Sequence, residues 1–180
     1  MNDALTTFLD HTRTTWGPLE SRLAADVRAE LARLMLTPSD EPWLRELLHD
    51  LPPSKELHRD PTHGFLLLAH SETTGLYRPP HDHGRSWVVY ALQQGEMEIS
   101  TYARLEDPVR GVRLVQRETS LLRAGEARVY LPGDIHDTRC LRGPSLLFRF
   151  TERDLKREDL VEHRLTRYVE RDGVWTVGPA

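Results

Sequence analysis

The chain has 180 residues, 38% hydrophobic and 29% charged, the length for about one domain with a sizeable core. A net charge of −4 with scattered arginines argues against a nucleic-acid partner. The longest apolar runs, Phe65–Ala69 and Trp87–Leu92, fall far short of the ~20 residues of a membrane span. Cys140 is the only cysteine, which excludes an intramolecular disulfide and a multi-cysteine zinc site. That usage, with no secretory profile in Met1-Asn2-Asp3-Ala4, suits a reducing, cytoplasmic setting.

Residues 1–54 read as a helical segment that packs on the remainder of the chain. From Pro18 to Leu36, the apolar residues Leu19, Leu23, Val27, Leu31 and Leu34 recur mostly every four positions, the stripe of an amphipathic helix with Pro18 in its first turn. A second, shorter helix is expected over Pro42–His49, capped by Ser39 or Asp40, with Trp43, Leu44, Leu47 and Leu48 on its buried side. Leu51-Pro52-Pro53-Ser54 ends helical order.

Residues 55–180 are assigned to a second, β-rich segment, in which the period becomes that of strands from about residue 63. Phe65–Ala69 and Trp87–Leu92 are short apolar runs. Gln93-Gln94-Gly95 reads as a turn into a strand on which Met97, Ile99, Thr101 and Ala103 alternate with Glu96, Glu98, Ser100 and Tyr102. Short strands are expected at Val112–Val115, Thr119–Arg123, Ala127–Leu131 and from Ser145 through Phe150. A hairpin with an Asp172-Gly173 turn is expected over Tyr168–Val177. Glu152–Asp159 reads as a solvated helix or loop. Many short strands separated by Gly, Pro and Asp turns indicate an antiparallel sandwich or barrel, so the chain is expected to be mainly β with N-terminal α-helices, one domain overall.

Among nine histidines, only His81 and His83 form a local pair with strand spacing, which sends both imidazoles to one face. His11, His49, His58, His63, His70 and His163 are isolated and read as surface or loop residues. His136 follows the turn Leu131-Pro132-Gly133-Asp134-Ile135 and would reach the pair from another strand. Imidazole nitrogen suits Zn, Fe, Cu and Ni, so His81, His83 and His136 are candidate ligands of one metal ion.

The segments around these histidines resemble the two motifs of the cupin superfamily over roughly residues 64–151. In the first motif a His-x-His pair is followed by Glu and then Gly; Gly95 matches, while the Glu position holds Trp87 or Val88. In the second, Gly125, Gly133 and His136 match, with Leu131 at the usual proline position and Pro132 beside it. The resemblance implies a double-stranded β-helix, or jelly-roll barrel. A site of three histidines without the carboxylate is similar to that of the cysteine dioxygenase group, iron-dependent thiol dioxygenases. Phe65-Leu66-Leu67-Leu68-Ala69-His70, Pro80-His81-Asp82-His83, Tyr130 and Ser145-Leu146-Leu147-Phe148 fall in similar order to that group's.

That resemblance implies Fe(II), with Zn(II), Ni(II), Mn(II) and Cu(II) left open, and a small thiol oxidised by O₂ to a sulfinic acid. A substrate carboxylate would need an arginine, for which Arg59, near the family's position, and Arg85, on the parity of the histidine pair, are the candidates. The family's animal members cross-link a cysteine to a tyrosine. Here Val88 stands at the cysteine position, Phe150 at the tyrosine position and Phe148 at that of a histidine two residues earlier. Either the chemistry differs, or another hydroxyl, from Tyr90, Tyr102 or Tyr130, fills the role, and Tyr130 is taken as the candidate catalytic residue. Trp87 and Cys140 are expected on inward parity, and Asp82 in turn contacts. Other metal-dependent cupin enzymes (an isomerase, a decarboxylase or a C–C-cleaving dioxygenase) and a non-catalytic small-molecule-binding cupin are the alternative readings. Expected partners are a small-molecule substrate and O₂, with no nucleic acid and no membrane, in a monomer or homodimer.

Overall fold

A computed structural model describes residues 3–178. Three helices come first: α1 (Ala4–Thr15), α2 (Ser21–Leu34) and α3 (Pro42–Asp50). Helix α1 is capped by Asp3, whose carboxylate accepts from the Thr6 N–H at 2.7 Å. Helix α2 buries Leu23, Val27, Leu31 and Leu34, the expected stripe, but starts at Ser21. Pro18 lies in the connection before it, and Leu19 is exposed at the rim of a cavity between α2 and β6. Helix α3 takes Glu41, rather than Ser39 or Asp40, at its cap position, because Pro42 needs no N–H partner at the first helical position.

The strands are β1 (Lys55–Arg59), β2 (Leu66–Glu72), β3 (Tyr77–His81), β4 (Val88–Asp107), β5 (Gly111–Arg123), β6 (Ala127–Tyr130) and β7 (Ile135–Thr151). Their antiparallel registers make two sheets that share β4 and β7. The first half of β4 pairs with the second half of β7 (Val88 opposite Thr151, Leu92 opposite Leu147), flanked by β6 and by β2 and β1. The second half of β4 pairs with the first half of β7 (Met97 opposite Cys140, Thr101 opposite His136), flanked by β5 and β3. Two long strands that cross from one sheet to the other give the double-stranded β-helix.

The crossing replaces an expected turn. Gln93-Gln94-Gly95 is a bulged bend inside β4, where the register slips between Leu92 and Met97. Gly95 has φ +93°, and a Cβ there would lie 2.6 Å from the Arg142 carbonyl oxygen. Val112–Val115 and Thr119–Arg123 likewise belong to one strand, β5, with an irregularity opposite Thr101 and Tyr102. Strand β3 takes in Pro79 and Pro80, which read as a turn; proline is tolerated because β3 pairs only with β7 and forms an edge.

The first sheet is apolar on both faces. Its outer face, Phe65, Leu67, Ala69, Trp87, Val89, Ala91, Leu146, Phe148 and Phe150, packs against Phe8, Leu9, Val27, Leu31, Leu44 and Leu47 of the helices. Its inner face, Val88, Tyr90, Leu92 and Leu147, meets Met97, Ile99, Leu122 and Tyr130 inside the barrel. Burying a side chain of this size stabilises by about 1.5–3 kcal/mol, so both layers are needed for the fold. After β7, residues 155–160 form the short helix α4 (Leu155–Leu160), in which Leu155 and Glu158 are buried, so this stretch is not simply solvated. The hairpin β8 (Tyr168–Arg171) and β9 (Val174–Val177) turns at Asp172-Gly173, both with positive φ, as the sequence indicates. No helix among the described residues is long and apolar enough to cross a membrane.

Candidate metal centre

His81 and His136 face each other across the β3–β7 pair. His83 comes from the connection after β3 rather than from the strand itself. That connection is fixed by Asp82, which accepts from the Gly84 and Thr166 N–H groups at 2.9 Å each, and by the Ser86 N–H donating to the His83 carbonyl. Asp82 therefore makes the expected turn contacts. The three rings stand 4.9–5.2 Å apart, centroid to centroid, and one nitrogen of each lies within 4.8 Å of the others.

Three facts fit this cluster to a divalent metal. Burial lowers the basicity of all three rings, so they are neutral at neutral pH, the state a metal ligand requires. Nδ1 of His81 donates to the Pro79 carbonyl at 2.8 Å, which leaves its Nε2 lone pair free. Both nitrogens of His136 and Nδ1 of His83 are buried without a hydrogen-bond partner. Among the described residues no carboxylate joins the group. Zn(II) and Fe(II) both accept three imidazoles, so the donor set fits either.

A cavity of about 660 Å³ opens onto His81 and His83. It is lined by Tyr90 and Leu147 from the first sheet, Tyr77, Arg78 and Thr138 from the second, His70 and Glu72 at the end of β2, Leu155 of α4, and Arg167 and Tyr168 near the hairpin. Six buried polar atoms without partners belong to residues lining it, on His70, Glu72, His83, Thr138, Arg149 and Tyr168. Such a concentration marks a site built for polar contents. A larger cavity, about 1080 Å³, runs between α2 and β6 and does not include the histidines.

Several expected residues stand elsewhere. Arg59 is half-exposed and held by Glu56 and Asp154 at 2.8 Å each. Arg85 is also half-exposed, paired with Glu158 at 2.8 Å and with Glu162. Neither lines the cavity at the histidines; for Arg85 the reason is the turn at residues 82–87, which resets the strand parity. The same reset turns Trp87 outward, onto Trp16 and Phe150. Tyr130 is buried behind His136, ring centroids 4.0 Å apart, and lines the larger cavity instead. Tyr102 donates to Asp137 at 2.6 Å. Of the three candidate tyrosines only Tyr90 lines this cavity, its hydroxyl 3.2 Å from Nε2 of His83, and burial raises its pKa, so it stays protonated. Cys140 is buried with its thiol against the Glu72 carbonyl and does not line the cavity.

Phe148 and Phe150 face the helices, so neither occupies the position next to the histidines that the resemblance suggested. Leu147 and Arg149 of β7 line the cavity in their place. His70 is also no surface residue: it lines the cavity, and burial, with Arg149 and Arg78 nearby, pulls its pKa down to about 3. Sequence reading missed both His70 and Arg149. The signal available was the alternation of Leu147 and Arg149 with Phe148 and Phe150, which shows which set differs in character.

No family model matches the chain, and no curated protein matches it. Solved structures do. KdgF from Halomonas sp. is 20% identical with a TM-score of 0.45, over 56% of this chain and 78% of that one. The Cnp3 cupin domain of Schizosaccharomyces pombe is 11% identical with a TM-score of 0.44, over 59% and 64%. An oxalate oxidase in complex with glycolate is 20% identical with a TM-score of 0.41, over 55% of this chain and half of that one. Likeness at this level transfers no chemistry. The architecture rests on the strand registers and the site on its own geometry.

Proposed function

We propose that His81, His83 and His136 hold one divalent metal ion, Fe(II) by preference, and that the protein uses it to oxidise a small thiol with O₂ to a sulfinic acid. The observation that carries this reading is the donor set: three neutral imidazoles, with buried unpartnered nitrogens on His83 and His136, and no carboxylate among them. Three neutral ligands would leave the ion its full positive charge and open positions, supplying the Lewis acidity and redox chemistry the oxidation needs. The reaction balances as R–SH plus O₂ giving R–SO₂H, with both oxygen atoms ending on sulfur.

The chain's own residues do the rest. The apolar inner wall, with Leu147 and Leu155, restricts water at the floor of the cavity. Tyr90, protonated and adjacent to His83, can donate a hydrogen bond to a polar group beside the histidines. The single, unpaired cysteine suits a reducing, cytoplasmic setting.

The test has two stages. Protein purified without metal and reconstituted with Fe(II) should hold about one ion, and a His81→Ala/His83→Ala double variant should hold none. Equal metal content in both overturns the metal site. The Fe(II) form should then consume O₂ with at least one of cysteine, 3-mercaptopropionate and cysteamine. Silence with all three, at full metal content, overturns the thiol oxidation and favours another cupin chemistry or ligand binding alone.

A further inference from the structure

The cavity at the histidines has a charge imbalance. Its lining carries four cationic side chains, Arg78, Arg149, Lys156 and Arg167, against two carboxylates, Glu72 and Asp159. Two of the cations are neutralised: Arg78 donates to Glu72 at 2.8 Å, and Arg167 grips Asp159 with two nitrogens at 2.6 and 2.7 Å. Lys156 is exposed on α4. Arg149 is different. It sits mid-strand in β7, directly opposite Tyr90 on one side and Leu68 on the other, so its side chain leaves the wall of the barrel toward the interior. Its Nε is buried without a hydrogen-bond partner, and among the described residues no carboxylate lies within ion-pairing distance of it.

A guanidinium held inside a barrel without a counter-charge is costly unless a ligand supplies one. The planar fork of arginine matches the two oxygens of a carboxylate, and the histidine cluster next to it adds no competing negative charge. Arg149 lines the same cavity as His81 and His83 and is the register partner of Tyr90, whose hydroxyl touches His83, which places it beside the candidate metal centre.

We propose that Arg149 is the specificity-determining residue of this cavity, taking the carboxylate of a small thiol acid whose sulfur reaches the histidines. This rests on the thiol reading of the histidine site for its sulfur end, and on Arg149 alone for its acid end. It moves anion recognition from Arg59 and Arg85, both already engaged with carboxylates, to β7.

The experiment separates the two ends. Full-length protein loaded with Zn(II), which does not consume the ligand, is titrated calorimetrically with 3-mercaptopropionate and with its neutral amide. Wild type should prefer the acid by about tenfold or more, and R149Q should reduce that preference to within about threefold at unchanged zinc content. R149M serves as a second truncation should glutamine destabilise the strand, and R167Q, at a cation already paired, should leave the preference intact. The same titrations on metal-free protein, with propionate and propionamide, read the acid end alone. An acid preference lost in R149Q or R149M supports the proposal even where zinc fails to bind and the metal reading falls. An acid preference equal in wild type and in the folded variants overturns it, whatever the metal content.

Discussion

The hydroxyl of Tyr90 lies 3.2 Å from Nε2 of His83, and the ring of Tyr130 lies behind His136, centroids 4.0 Å apart and planes tilted by 40°. The first is a polar contact facing the cavity and the second is packing. Tyr90→Phe should therefore weaken metal affinity, or thiol oxidation at matched metal content, by about tenfold, as loss of a hydrogen bond beside a ligand does. Tyr130→Phe keeps the packed ring and should change both by less than about threefold. Metal competition titrations and oxygen uptake on the two variants, side by side, check the order.

The buried ring of His70 sets an acid limit on stability. Its pKa falls from about 6.5 in an unfolded chain to about 3 in the fold, because burial and two nearby arginines disfavour the charged ring. Above pH 6.5 neither state binds the proton and His70 contributes nothing to the pH dependence. Below it the unfolded chain takes up a proton that the fold refuses, so stability falls with pH until the folded pKa is reached. In His70→Leu the fall between pH 6 and 4 should be shallower by about 1.4 kcal/mol per pH unit. Urea melts at intervals across that range, without added metal, measure the slope.

Asp60 ties the helical layer to the sheet. Its carboxylate is buried, accepts from Nε of Arg13 in α1 at 2.7 Å, and accepts from the N–H groups of Thr62 and His63. Burial raises its pKa, but the Arg13 hydrogen bond and the two backbone donors outweigh that and bring it down to about 2. Asp60→Ala should cost about 2–3 kcal/mol at pH 7. The wild-type contribution is present above the ordinary carboxylate pKa and is lost as pH falls from about 4 toward 2, where the variant's deficit should shrink. Thermal melts at pH 7 and pH 3 test both halves.

At the bend of β4 the space is the constraint. A Cβ on Gly95 would meet the Arg142 carbonyl at 2.6 Å and the Ser145 Cα at 2.9 Å, in a conformation that L-residues avoid. Gly95→Ala should destabilise by at least about 2 kcal/mol. The neighbouring Gln94→Ala should cost much less, and equilibrium unfolding in urea distinguishes the two.

How much of the site was legible in the residues alone depended on parity. The three histidines were readable because His-x-His spacing and a later His after a Pro-Gly turn depend only on local order. The mainly β architecture was readable from alternation and turns. Residues around the site were not, for two physical reasons. The connection at residues 82–87 breaks the two-residue period, so counting from His81 through to Trp87 and Arg85 assigned both to the wrong face. The sheet carrying Phe148 and Phe150 is covered by helices outside and closed inside, so polarity gave no guide to its faces. Arg149 was visible as a charge among apolar neighbours, yet matching by family order drew attention to the phenylalanines either side of it. Strand β3 was not legible either, because its Pro79-Pro80 pair is a turn signal that an edge strand can nonetheless hold.

The outer face of the first sheet carries a consequence for how the chain folds. Phe8 of α1 packs edge-on against Phe150 of β7, a partner roughly 140 residues later. During synthesis the three helices emerge before the strands, with only one another to pack against, and the sheet that covers them is complete only when β7 arrives. Long-range closure of this kind slows folding and prolongs the exposure of greasy surface. The helical layer is thus the part of the molecule that waits longest for its partner, and where a chaperone would find something to hold.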